Sequence, residues 1–207
     1  MFASLFKLFG CSPKKNQENK NVSKDTLDKQ ISKSIEDFKN RPIHKTLTEQ
    51  IIDAASDDEL LQVVFDNLSE KQPADYTKEY KTVTAWNKER QAIYVIWLLE
   101  AEVNNGGYNQ YYFNSSGQFY KLLPDALKLV GANKFATLTE KANSTYEKEN
   151  DKITKHQDRT LEGFSKSYED NPLNKFDDEF YVLYKAENLQ KLQVEFIRKH
   201  KQEFIDK

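Results

Sequence analysis

The sequence predicts an all-α fold, a single compact helical domain preceded by a basic N-terminal arm and an ancillary helix. Three observations carry that expectation. Charged residues are 31% of the 207, against six glycines and five prolines, the composition of long water-facing helices rather than turn-rich sheets. Apolar residues recur three and four positions apart in most segments beyond residue 21. The most apolar run, Ile93 to Leu99, is flanked by polar helix formers with no turn signal on either side. The chain divides into an arm (1–21), an ancillary helix and linker (22–43) and the main helical domain (44–207). A domain of that size buries roughly 70% of the surface of its unfolded chain, so a real core is within reach.

Taken in order, Met1 to Lys15 places Phe2, Leu5, Phe6 and Phe9 on one stripe, read either as a disordered or loosely docked arm or as a weak interfacial membrane contact through residues 1–9. Leu8 to Cys11 also has the form of a lipoprotein cleavage site, with Lys7 breaking its short apolar region. Ser12 to Asn21 reads as linker. Val22 to Phe38 carries Leu27, Ile31, Ile35 and Phe38 on one face and ends before Pro42. Ser56 with Glu59 forms a capping box that opens a helix to about Glu70, with Leu60, Leu61, Val64, Phe65 and Leu68 on its inner face.

A central helix is expected over Thr82 to Val103, apolar on most sides and closed by Asn104, Asn105, Gly106 and Gly107. Pro124 suits the start of a short helix stopped by Gly131, and Asn133 is placed to cap the next, which carries Phe135, Leu138 and Ala142. Leu161, Phe164 and Tyr168 make a brief amphipathic turn before Asn171–Pro172. In the run Lys175 to Lys185, Asp177 is the expected N-cap, with Phe176 and Tyr181 as a hydrophobic staple. A last helix, Asn188 to about Phe204, buries Leu189, Leu192 and Phe196, with His200 facing solvent.

The net charge of −2 hides an asymmetry. Residues 1–45 hold ten bases and five acids, whereas Glu49 to Asp75 hold eight acids and the single base Lys71. Asp53, Asp57, Asp58, Asp66 and Glu70 are the candidate partner-binding carboxylates of that stretch, spaced so that residues four apart share a helix face. The lone cysteine, Cys11, fits a reducing, cytoplasmic compartment; the alternative is a lipoprotein anchored through it. His44, His156 and His200 are scattered, so no metal and no cofactor is expected. The folded part has no basic stripe for direct nucleic-acid binding.

Three stretches carry a family resemblance: EVNNGGYNQYYFNSSG from Glu102 to Gly117, KFDDEFYVLYK from Lys175 to Lys185, and EFIRKHKQEF from Glu195 to Phe204. Together they resemble the bacterial DNA-mimic protein domain family, over about Thr82 to Phe204. The resemblance implies a helical domain without cofactor or catalytic residues and, for one branch, an acidic dimer that covers the DNA-binding surface of a transcription factor. The expectation is a non-enzymatic interaction protein with a DNA-binding or toxin protein as partner, and a homodimer as an open alternative. Its surface is either the acidic stretch or the loop bearing Asn105, Tyr108, Gln110, Tyr111, Asn114 and Ser115. The competing reading of the loop is structural, its amides satisfying backbone groups where the long helix ends. The alternative function is a small-molecule-binding or hydrolytic domain with a pocket beneath that loop, using Glu100 or Glu102 as a buried acid.

Overall fold

The computed structural model describes residues 24–206 except 159, and every regular element among them is helical. The apolar stripe of residues 1–9, the cleavage-like sequence ending at Cys11 and the polar linker all lie outside the described residues. The chain separates into two compact units, Met1–Ile43 and His44–Lys207. In the first, α1 spans Lys24–Lys39. Its end is closed by Arg41, which donates to the Phe38 carbonyl at 2.6 Å and lays its guanidinium over the Phe38 ring.

The second unit opens with α2 (Glu49–Ala54), capped by the Thr48 hydroxyl, which accepts from the Ile51 amide at 3.3 Å. Helix α3 (Asp57–Glu70) follows with Ser56 as N-cap, though not as the capping box expected. The Ser56 hydroxyl donates to Glu59 Oε2 at 2.8 Å, and the Glu59 amide goes instead to the Ser56 carbonyl. The acidic first turn of Asp57, Asp58 and Glu59 still sits at the positive end of the helix dipole.

The helix expected from Thr82 to Val103 is two helices, α4 (Glu79–Thr84) and α5 (Lys88–Phe113). Asn87 makes the break. Its side chain accepts from the Arg90 amide at 2.9 Å and starts a new helix, while Gln91 donates to the Trp86 carbonyl that the break leaves over. Helix α5 is the central rod, and Ala92, Ile93, Val95, Ile96, Leu99 and Val103 are fully buried along its first half. Phe65 of α3 stacks on Trp97 with ring centroids 3.5 Å apart and reaches Tyr94 on the next turn. Each such side chain contributes about 1.5 to 3 kcal/mol through apolar area withdrawn from water.

Helix α6 (Leu123–Leu129) carries Pro124 in its first turn and ends at Gly131, whose φ of +85° closes it. Then come α7 (Asn133–Lys148), α8 (Asn150–Ile153), α9 (Leu161–Lys166), α10 (Asn174–Ala186) and α11 (Leu189–Lys199). Leu189 and Phe196 are buried on α11, Leu192 is half-buried, and His200 lies against the Phe196 ring rather than facing open solvent.

Two expected caps are corrected. Asn133 does not cap α7, because the N-cap position is Ala132, which has no side-chain acceptor. The Lys134 and Phe135 amides instead donate to Glu187 Oε2, at 3.1 and 3.2 Å, just past the end of α10. Asp177 is not an N-cap either, since α10 begins at Asn174 and Asp177 lies within its first turn. Replacing Glu187 by alanine removes the acceptor of two amides and is expected to cost about 1 kcal/mol, with Glu187→Gln costing less. Urea unfolding of the two variants checks the order.

Candidate functional site

The most conspicuous stretch of the sequence, Glu102 to Gly117, is a break in the central helix. Gly106 is non-helical, with φ −158° and ψ 30°, and Gly107 is left-handed, with φ +71°; yet α5 resumes and continues to Phe113 instead of stopping. A break of this kind strands backbone groups that an uninterrupted helix would pair. They are recovered from outside the helix. The Tyr181 hydroxyl donates to the Val103 carbonyl at 2.9 Å, the Tyr168 hydroxyl donates to the Gly106 carbonyl at 2.8 Å, and the Tyr108 amide donates to Asp177 Oδ1 at 2.8 Å. Asp177 therefore caps the second half of α5, not its own helix.

The amides of the motif close the same bracket from within. Glu102, just before the break, accepts from Gln110 at 2.7 Å, Asn114 at 2.8 Å and the Ser116 hydroxyl at 2.9 Å, all beyond it. Asn105 donates to Gln110 Oε1 at 2.8 Å. Tyr108 and Tyr111 have no exposed surface, and Gln110 is buried too. The expectation of a recognition surface is thus corrected for these three side chains: the turn of helix after the break points them inward. Asn105, Asn114 and Ser115 remain exposed.

The space beneath the loop is filled. Tyr108 meets Tyr112, Phe176 and Phe180 ring to ring, and Phe180 meets Phe135 and Tyr184. Burial raises the Tyr108 phenol well above its ordinary range. Glu100 is buried beside Tyr184 and Gln193, whose Nε2 lies 2.6 Å from its carboxyl. Burial raises that carboxyl, and the bonds from Tyr184 and Gln193 counter only part of the effect. Both acids that a hydrolytic reading would recruit, Glu100 and Glu102, are hydrogen-bonded to structural partners. A cavity of about 210 Å³ lies elsewhere, between Lys152, Lys155 and His156 on one side and Ser167 and Asn171 on the other. Among the described residues no three His, Cys, Asp or Glu side chains gather as metal ligands.

The acidic stretch is more divided than its sequence. Asp66 is buried, 6% exposed, and accepts from Gln62 at 2.7 Å, so it cannot face a partner. Lys201 bridges Glu49 and Asp53 at 2.5 and 3.0 Å, and Arg198 pairs with Asp57 at 2.9 Å while donating to the Ile52 and Ala55 carbonyls. Glu70, on the outer face of α3, lies 3.9 Å from Lys45. Bases about 140 residues away in sequence thus answer part of the charge, a neutralisation that no local pattern announces. Asp53, Asp57, Asp58 and Glu59 nonetheless remain exposed where α2 meets α3.

A family model described as DMP19-like protein matches residues 84–200, more than half of the chain. The chain belongs to the DMP19-like family. No curated protein and no solved structure matches it. The DMP19-like region runs from Thr84 to His200 and so contains the broken central helix and both carboxylates that cap neighbouring helices, Asp177 and Glu187. The whole of the acidic stretch, from Glu49 to Asp75, lies outside and ahead of it.

Proposed function

We propose that this DMP19-like chain is a non-enzymatic interaction protein, presenting the carboxylates of the α2–α3 junction to a basic, DNA-binding surface of another protein. Family membership supports a protein-interaction role of the DNA-mimic kind. The observation that carries the choice of surface is the charge imbalance at that junction. Among the described residues, Glu49, Asp53, Asp57, Asp58 and Glu59 crowd it beside Lys201 and Arg198, and the Asp57 side chain is 77% exposed despite its arginine. A partner surface rich in arginine and lysine is attracted by the residual negative field, and the attraction weakens as salt is raised.

The test keeps Asp57 intact, because Arg198 uses it to hold α11 in place. The chain and its Asp58→Asn, Glu59→Gln variant are immobilised, exposed to bacterial lysate, and eluted with salt or with duplex DNA. DNA-binding proteins are expected on the unaltered chain, displaced by duplex DNA, with recovery about fivefold lower on the variant, about 1 kcal/mol for two rim charges. Equal recovery on both, with unchanged melting temperatures, rules the surface out.

A further inference from the structure

We propose that the Gly106–Gly107 break is a carboxyl-controlled hinge, in which the charge on Asp177 sets how firmly α10 holds the second half of α5. The hinge stands on geometry. Two consecutive non-helical residues interrupt a 26-residue helix, and the lost continuity is replaced by contacts from other segments: Asp177 and Tyr181 of α10, and Tyr168 just after α9. Of these only Asp177 can change charge near neutral pH. A methyl group at Gly107 would run into its carboxylate, so carboxyl and backbone are already in close approach.

The groups around Asp177 offer its negative charge little support. From α5 it faces the Tyr108 amide and the buried Tyr108 phenol, from the turn after α9 it faces Tyr168, and beside it on α10 stands Asp178. Glu179 lies toward the Tyr108 phenol and Glu102 toward Tyr168, so both add negative charge to the surroundings. Burial, the largest influence, and Asp178 push the carboxyl up to about 6, while the Tyr108 amide pulls it down.

The sign follows directly. When the hinge opens, Asp177 returns to water and to its ordinary value of 3.8, so the closed form binds the proton more tightly than the open one. Closure is strongest below about pH 4, weakens as pH rises from 3.8 to about 6, and is level above that. The interval corresponds to about a hundredfold in the opening equilibrium at full strength. Partial exposure of the carboxyl reduces it to about tenfold.

Hydrogen exchange at the amides of residues 107–112, corrected for the intrinsic pH dependence of exchange, reads this equilibrium in the intact chain. Protection is expected to fall about tenfold between pH 4 and 6.5. Asp177→Asn, which keeps an oxygen acceptor for Tyr108 without the charge, is expected to show a flat profile. A profile of the same shape in the variant overturns the hinge, and so does protection that rises with pH. A carbon-13 titration of the Asp177 carboxyl in the unaltered chain decides independently of any variant, and a midpoint near 4 overturns it.

Discussion

Gly107→Ala is expected to lower the unfolding free energy by about 2 to 3 kcal/mol. Two costs combine. A left-handed φ of +71° disfavours any residue with a Cβ by about 1 kcal/mol. The new methyl also meets both oxygens of the Asp177 carboxylate, which must swing away and abandon the Tyr108 amide, at about 1 to 2 kcal/mol for a lost cap. The two parts can be separated in a double-mutant cycle followed by urea unfolding. In an Asp177→Ala background, with carboxylate and cap already gone, the alanine at 107 should cost only about 1 kcal/mol. Strictly additive losses would mean that the two residues do not share this site.

The second large effect lies at the other end of α5. Arg90→Met is expected to cost about 3 to 4 kcal/mol, because it strands a ring of acceptors with little access to water. The guanidinium donates to the carbonyls of Glu203, Phe204 and Ile205 at 2.9, 2.9 and 3.0 Å and pairs with Asp206 at 3.0 Å; the two side chains are only 15% and 16% exposed. Asp206 in turn accepts from the Leu47 amide at 2.9 Å and from Lys71 at 2.8 Å, and its own amide donates to the Leu47 carbonyl. Asp206→Asn keeps the shape and removes the charge, leaving Arg90 and Lys71 facing each other. It should cost slightly less than Arg90→Met, and the two substitutions should be strongly non-additive.

These two carboxylates pull the pH dependence of stability in opposite directions. Burial alone would raise the Asp206 carboxyl, but Lys71, the Leu47 amide and Asn67 outweigh it and hold the group below its ordinary 3.8. Its contribution is present above that value and is lost as the solution is acidified below it. Asp177 works the other way, its contribution fading as pH rises from 3.8 to about 6. Urea midpoints measured from pH 3 to 8 should therefore lose the acid limb in Asp206→Asn and the decline toward pH 6 in Asp177→Asn.

Much of the helical layout was legible in the residue pattern, because the 3.6-residue period of Leu60, Leu61, Val64, Phe65 and Leu68, or of Phe135, Leu138 and Ala142, survives any tertiary arrangement. The Asn104 to Gly107 run was recognised as a place where backbone leaves the helix, and Gly107 has the positive φ that implies. What followed was not legible. Two glycines end a helix in water, where stranded carbonyls find solvent; here Tyr168, Tyr181 and Asp177 supply partners, so the rod bends and resumes. Gln110 and Asn114 serve the fold, as the structural reading of the loop held, but they donate with Ser116 to the Glu102 carboxylate rather than satisfying backbone groups. The roles of Arg90, Arg198 and Glu187, and the helix that Asp177 actually caps, were not legible because the partners lie from 52 to about 145 residues away, beyond any local pattern. Asp66 shows the converse: its spacing from Glu70 made it a candidate partner-binding carboxylate, yet packing turned it inward.

By itself the sequence determined that this protein is helical, where its apolar faces lie, that its local excess of acids falls between residues 49 and 75, and which family its later stretches resemble. Those properties depend on intervals of three and four residues, which the chain carries without help. Only the tertiary structure decided which carboxylates remain open to a partner and which serve the fold. A carboxylate's role is set by what approaches it. At Asp57 that is Arg198, at Asp53 Lys201, and at Asp177 the amide of a broken helix; each arrives from a part of the chain that only folding brings near.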